Sequence, residues 1–148
     1  MKLKIKPLSP KIGREIPLPY YATPGAAALD LHACIDEPVT IPAGGRVLIP
    51  TGLAVAILEN HVGIVAVRSS MGIKNGVTLS NGIGVIDSDY RGPLGVGLHN
   101  LNKTPYTVQP GDRIAQLMIV PVTQHEIEVV SELPETQRGE GGLGSTGR

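Results

Sequence analysis

The residues best suited to chemistry lie in one run, Asn81-Gly82-Ile83-Gly84-Val85-Ile86-Asp87-Ser88-Asp89-Tyr90-Arg91-Gly92, where a strand pattern meets a cluster of acids. Val85 and Ile86 are β-branched and favour an extended chain, while Gly82 and Gly84 give the backbone freedom to turn. The combination reads as a tight hairpin. Two residues without side chains leave main-chain N–H and C=O groups open to a flat ligand, and Asn81, with both donors and an acceptor, suits the edge of a nucleobase. Asp87 is a carboxylate able to take a proton from a water. Tyr90 adds a flat ring with a polar tip, in a chain whose only aromatic residues are four tyrosines. The same residues equally fit an Asx-capped, solvated turn between two strands.

A second group would suit an oxyanion. A strand that stops at Arg68-Ser69-Ser70-Met71-Gly72 brings a guanidinium, two hydroxyls and backbone N–H groups toward one spot, as phosphate requires; a surface turn with a solvated arginine is the plainer alternative. Gln116 interrupts the most apolar stretch of the chain, Arg113 to Val122, and a buried amide must be tied to backbone or aimed at a ligand. Asp30 stands between Leu29 and Leu31 after three alanines and needs a partner if buried; it reads either as a capped strand-end acid or as a functional one. The four histidines, 32, 61, 99 and 125, have no ligand-like spacing and read as surface or packing residues.

The elements that must position these groups are short and β-like. Leu3 and Ile5 alternate with Lys2, Lys4 and Lys6 in the period of a half-wet edge strand that Pro7 ends. Prolines at 10, 17, 19 and 24 deny a helix there and favour an extended coil over the surface. Runs at 47–50, 53–58 and 62–67 read as three strands at hairpin spacing, and 94–98, 106–108 and 113–122 as further strands separated by turns such as Pro110-Gly111-Asp112. After Ile127-Glu128-Val129-Val130 the pattern collapses. Arg138 to Arg148 holds five glycines in eleven residues, too costly in backbone entropy to order alone. Its two arginines with Ser145 and Thr146 would nonetheless suit wrapping a polyphosphate. The eighteen residues from Ser131 can reach roughly 60 Å, far enough to serve a neighbouring subunit.

The 148 residues, 41% hydrophobic with mean hydropathy near zero, allow one domain with a real core. Thirteen basic and thirteen acidic side chains cancel, so no cationic field favours a nucleic-acid duplex. Cys34 is the single cysteine, which excludes an internal disulfide or a multi-cysteine metal site and fits a reducing compartment. No run of about 18 apolar residues occurs, and the amino terminus does not resemble a leader, so a soluble cytoplasmic protein without membrane contact is expected. Short strands, turns every few residues and no 3.6-residue period argue an all-β sandwich, barrel or jelly roll.

Taken together, the stretches resemble the five ordered motifs of the trimeric deoxyuridine triphosphate nucleotidohydrolases, the dUTPases. Ala26-Ala27-Ala28-Leu29-Asp30-Leu31 is similar to the first, Arg68-Ser69-Ser70-Met71-Gly72 to the second, and Gly84 to Gly92 to the third. Gly111-Asp112-Arg113-Ile114-Ala115-Gln116-Leu117 is similar to the fourth, and Arg138 to Gly147 to the fifth. Five modest motifs in the right order across Pro24 to Arg148 leave little room for coincidence.

The resemblance implies a jelly-roll or distorted β-barrel subunit of a homotrimer, with a β domain over 1–130 and a mobile arm over 131–148. It implies active sites at subunit interfaces, completed by arms exchanged between subunits, and hydrolysis of dUTP to dUMP and pyrophosphate with Mg²⁺ on the triphosphate. Asp87 would activate the attacking water. Asn81 and the main chain around Gly84 and Ile86 would read uracil, and Tyr90 would pack on the deoxyribose. Arg68, Ser69, Ser70 and Gln116 would hold phosphate oxygens, and Asp30 the water shell of the metal. The arm would close with Arg138, Leu143, Gly144, Ser145 and Thr146 over the nucleotide. Leu143 departs from the family's usual uracil-stacking phenylalanine, a contact worth roughly 1–3 kcal/mol, so weaker closure or a raised KM is expected. Val67, Ser70 and Ala28 depart mildly where the family often has proline, glycine and glycine. Two rivals stand beside this reading. A dCTP deaminase or bifunctional deaminase–dUTPase shares the fold, but its base chemistry needs an added acid-base group, and no glutamate lies between Asn60 and Glu126. A trimeric nucleotide-binding regulator without turnover is the other.

Overall fold

In the computed structural model, which describes residues 2–142, eleven strands and one π-type turn form among the described residues. The strands are β1 (Lys4–Pro7), β2 (Leu29–His32), β3 (Val39–Ile41), β4 (Arg46–Pro50), β5 (Leu53–Ala56) and β6 (His61–Ala66). The turn Ser70–Lys74 follows, and then β7 (Val77–Leu79), β8 (Gly84–Ile86), β9 (Gly95–Asn100), β10 (Tyr106–Val108) and β11 (Arg113–Pro121). The named strands all pair antiparallel, in a four-stranded sheet ordered β2-β11-β6-β8, a three-stranded sheet β4-β9-β7, and two ribbons, β1-β5 and β3-β10. Leu31, Val65 and Leu117 of the first sheet share one core with Ile49, Val77, Val96 and Leu98 of the second. This is the all-β jelly-roll architecture that the turn-rich, alternating sequence implies.

Alternation explains most of the burial. In β9, Val96, Leu98 and Asn100 point inward, while Gly95, Gly97 and His99 face outward to differing degrees. The stretch read as most apolar becomes the longest strand, β11, held between β2 and β6. A register shift between Arg113 and Ala115 inserts Ile114 as an extra residue opposite β2. That bulge lets Ile114 and Ala115 both be fully buried despite being neighbours.

Three local expectations give way to tertiary organisation. The strands at 46–66 are present but do not form hairpins with one another: β4 pairs with β9, β5 with β1, and β6 with β11 and β8. Nor is the run at 81–84 a paired hairpin. β7 and β8 belong to different sheets, and the turn between them, with Gly82 at φ 73°, carries the chain across. The proline-rich stretch after Ser9 lacks a helix, as expected, but it is not simply an extended coil. Arg14, Glu15 and Ile16 donate their N–H groups to the Lys11 carbonyl, and the fold-back sinks Ile12 and Ile16 into the core. Burying two isoleucines outweighs the polyproline preference for an open chain. Beyond Pro121, residues 122–142 form no strand, and Ile127, Val129 and Leu133 are 90%, 94% and 84% exposed.

Candidate active site

The site residues fall into two groups, and the four-stranded sheet decides which residues join each. Gln116 on β11 pairs across to Asp30 on β2 on one side and to Ala66 on β6 on the other. Arg68 lies just past Ala66. Its Nε reaches Asp30 Oδ1 at 2.9 Å, and Nη1 of Arg113 reaches Asp30 Oδ2 at 3.3 Å. The Gln116 amide donates to the Val67 carbonyl at 3.2 Å, fixing the end of β6. Ser69 is exposed and makes no capping bond with its hydroxyl, and Ser70 opens the π-type turn. Asp30, Arg68, Ser69, Ser70 and Gln116 therefore lie around the end of β6, with Gln116 taking the backbone-tied alternative. Two members of this group were not singled out from the sequence, Arg113 and His32. Burial pushes the His32 imidazole below its ordinary value, Asp30 opposes that shift, and Arg113 and Arg68 add to it.

The second group surrounds the end of β8. Asp87 follows Ile86 directly, is exposed, and lines a cleft of about 200 Å³ with Val85, Ile86, Tyr90, Pro93 and Leu94. The walls are about as polar as apolar: aliphatic side chains stand beside one carboxylate, one phenol and main-chain groups. The Tyr90 hydroxyl donates to the Pro93 carbonyl at 3.0 Å, which folds the ring back over Gly92. No side chain would fit at Gly92, because a β-carbon there would collide with that ring. Nη1 of Arg91 donates to the Ser88 and Tyr90 carbonyls at 2.6 and 2.8 Å and braces the loop at the surface. Sequence reasoning had not found this brace, which rests on main-chain acceptors that composition does not reveal. On its far side Asp87 borders a wider polar depression with Glu59, His61 and Asp89. Asn81 sits on the exposed turn before β8; neither it nor Gly84 lines the cleft beside Tyr90.

Within one chain the two groups are far apart. Gly84 pairs with Val65 and Ile86 with Gly63, so Asp87 lies level with the start of β6 and Arg68 beyond its end. Six residues from Val62 to Arg68, the last two past the strand, separate them by roughly 20 Å at about 3.3 Å each. Arg138 is exposed on the carboxyl-terminal segment, its Nε donating to the Gly141 carbonyl at 2.8 Å. Leu143, Gly144, Ser145 and Thr146 lie outside the described residues.

The donor set bears on a metal. Among the described residues no three His, Cys, Asp or Glu side chains gather into a metal cage. Asp30 is a single, partly exposed carboxylate with a guanidinium on each oxygen. Such a group fits hydrogen bonding to the waters of an ion that arrives with its ligand, and Mg²⁺ characteristically keeps several waters.

Comparison with known proteins follows the same lines. The family model described as dUTPase matches residues 14–147. The chain is 51% identical over 148 residues to the deoxyuridine 5′-triphosphate nucleotidohydrolase of Glaesserella parasuis, covering 99% of this chain and 98% of that one. It is 52% identical over 148 residues to that of Pasteurella multocida, with the same coverage. Among solved structures, the dUTPase of Staphylococcus bacteriophage 80alpha with dUPNHPP superposes with a TM-score of 0.87 at 27% identity, covering 99% of both chains. A dUTPase of phage phi11 of S. aureus, in a structure describing the coordination of a structural Mg(II) ion, matches with a TM-score of 0.79 at 25% identity over 91% of this chain and 100% of that one.

Proposed function

We propose a mechanism from one premise: the chain belongs to the dUTPase family and hydrolyses dUTP to dUMP and pyrophosphate. Asp87 orients a water and takes its proton as the water attacks the α-phosphate in line. The observation that carries this role is the exposed carboxylate just past the end of a strand, on the lip of a cleft that Tyr90 also lines. Tyr90 packs against the deoxyribose and leaves no space for a 2′-hydroxyl. Asn81 and the main chain at Gly84 and Ile86 read the uracil edge. A tightly filled pocket rejects added bulk at about 1–3 kcal/mol per misfit, enough to disfavour thymine and ribose.

Arg68, Ser69, Ser70 and Gln116 hold phosphate oxygens. Asp30 would accept hydrogen bonds from the water shell of a Mg²⁺ carried on the triphosphate, which would supply charge neutralisation there. The α-phosphate must lie within reach of the water held by Asp87 and of the phosphate ligands at the same time. Since the two groups are about 20 Å apart in one chain, one copy brings Asp87 and another brings Arg68 to each site. A homotrimer with interface sites satisfies this, and the segment from 131 to 148 acts as an arm beyond the 1–130 domain. Its Arg138, Leu143, Gly144, Ser145 and Thr146 close over a neighbour's nucleotide and exclude water. Among the described residues no helix is long and apolar enough to cross a membrane, and we place the enzyme in the cytoplasm without nucleic-acid partners.

The test is pyrophosphate release from dUTP, dCTP, dTTP and UTP. Turnover of dUTP alone is expected. Ammonia from dCTP would indicate a deaminase, and binding without release of pyrophosphate would indicate a regulator.

A further inference from the structure

The turn that follows Arg68 is held by a polar network whose outer members, Asn102 and Tyr106, lie on neither side of the reaction. Its closing hydrogen bond runs from the Asn75 N–H to the Ser70 carbonyl at 3.2 Å, a π-type span, and the Gly72 N–H donates to the Arg68 carbonyl at 3.0 Å. A single π-type turn has no helix on either side to continue its bonding, so outside contacts must hold its shape. Two are visible here. At one end the Met71 side chain is buried in the core. At the other, the Asn102 amide donates to the Asn75 carbonyl at 2.5 Å, while the Asn75 amide donates to the Tyr106 hydroxyl at 3.3 Å. The same hydroxyl donates to the Met71 sulfur at 3.4 Å, so one oxygen joins both ends of the turn.

The brace is itself anchored. Asn102 also donates, through its amide and its backbone N–H, to Oδ1 of Asn100 at 2.9 and 3.0 Å. Asn100 is fully buried, and its amide is shared among the carbonyls of Ile41, Pro42 and Thr104 at 3.1, 3.2 and 2.8 Å. The Leu101 N–H donates to the Gly76 carbonyl at 2.9 Å, and Gly76, at φ 57°, lets the chain turn directly under Asn102. A rigid line therefore runs from the interior end of β9 through Asn102 to the turn, and from β10 through Tyr106 to the same turn.

We propose that Asn102 and Tyr106 are positioning residues that set Arg68, Ser69 and Ser70 for the triphosphate, and so govern affinity for the phosphate chain and not for the nucleoside. The inference rests on the reading of Arg68 and Ser69 as phosphate ligands, and the experiment separates the two. Affinities for the non-hydrolysable dUpNHpp and for deoxyuridine are measured with Tyr106→Phe, Asn102→Ala and, as a reference, Arg68→Ala, alongside kcat, KM and Tm. Each brace variant loses hydrogen bonding that fixes the turn, and is expected to weaken dUpNHpp binding and raise KM for dUTP by about 5–10-fold, with deoxyuridine affinity unchanged. If Arg68→Ala binds dUpNHpp as well as the parent does, the phosphate reading itself fails. If Arg68→Ala weakens binding but Tyr106→Phe and Asn102→Ala do not, or if they weaken deoxyuridine equally, the positioning role is overturned. Tyr106→Phe removes one oxygen and keeps the ring's packing, so it remains decisive should Asn102→Ala fold poorly.

Discussion

Two inactive variants should restore activity when their chains are mixed. Asp87→Asn removes the base and is expected to lower kcat by about 10²–10⁴ while binding dUTP nearly as well as the parent. Arg68→Ala removes the proposed phosphate ligand and leaves Asp30 with Arg113 alone, for an expected loss of about 10²–10³. Each is close to silent by itself. The register of β6 with β8 puts Asp87 and Arg68 of one chain roughly 20 Å apart, so in the proposed trimer each site would draw them from different copies. In a randomly mixed 1:1 assembly the Asp87 donor is intact half the time and the Arg68 donor independently half the time. About one quarter of the sites are then whole, whatever the symmetry, provided the two donors are distinct copies. The assay is steady-state pyrophosphate release after the two variants are unfolded together and refolded, with native mass spectrometry to establish that mixed assemblies form. Recovery near a quarter of parental activity is expected. Mixed assemblies no more active than the average of the two parents would place both residues of a site on one chain and refute the reasoning.

Further outcomes follow from packing and charge. Gly63 lies opposite Ile86, and a β-carbon there would sit 2.7 Å from the Ile57 side chain and 3.1 Å from those of Ile86 and Leu117. Gly63→Ala should cost about 1–3 kcal/mol, roughly 3–9 °C in Tm, and lower kcat by disturbing the strand that ends at Asp87; an unchanged Tm would show that the sheet yields freely. His32 is held below its ordinary pKa chiefly by burial, so the unfolded chain takes up its proton first as pH falls. Its contribution to stability is full above the unfolded value near 6.5 and is lost as pH drops through the lower folded value. His32→Gln should therefore flatten the Tm profile between pH 7 and 5, and an identical slope in both proteins would remove His32 as its source. Leu143→Phe should lower KM for dUTP by adding a base-stacking surface worth roughly 1–3 kcal/mol, with greater protection of the arm from proteolysis when dUpNHpp is bound; unchanged KM and cleavage would count against arm closure over uracil.

Local chemistry is legible in the order of residues alone. Alternation marks β1 and β9 as strands, with Ile5 half-buried in the first and Val96 and Leu98 buried in the second; the aliphatic run from Arg113 becomes the longest strand, and five ordered motifs name the family. Asp30 had to have a partner, because a carboxylate between leucines could not be left alone. Which partners it took was settled elsewhere: Arg68, just past β6, and Arg113, on β11, reach it only once those strands lie side by side. The same holds for β4, β5 and β6, whose spacing suggested hairpins yet whose partners are β9, β1 and β11. Antiparallel pairing is decided by closure of the whole core, since each strand buries most when its apolar face meets the opposite sheet, and no short window carries that information. Tertiary structure alone also set the brace from Asn102 and Tyr106 to the turn after Arg68, and kept Asp87 and Arg68 at opposite ends of β6. Hydrogen bonds and strand register join residues distant in the chain, whereas side-chain pattern speaks only for its neighbours.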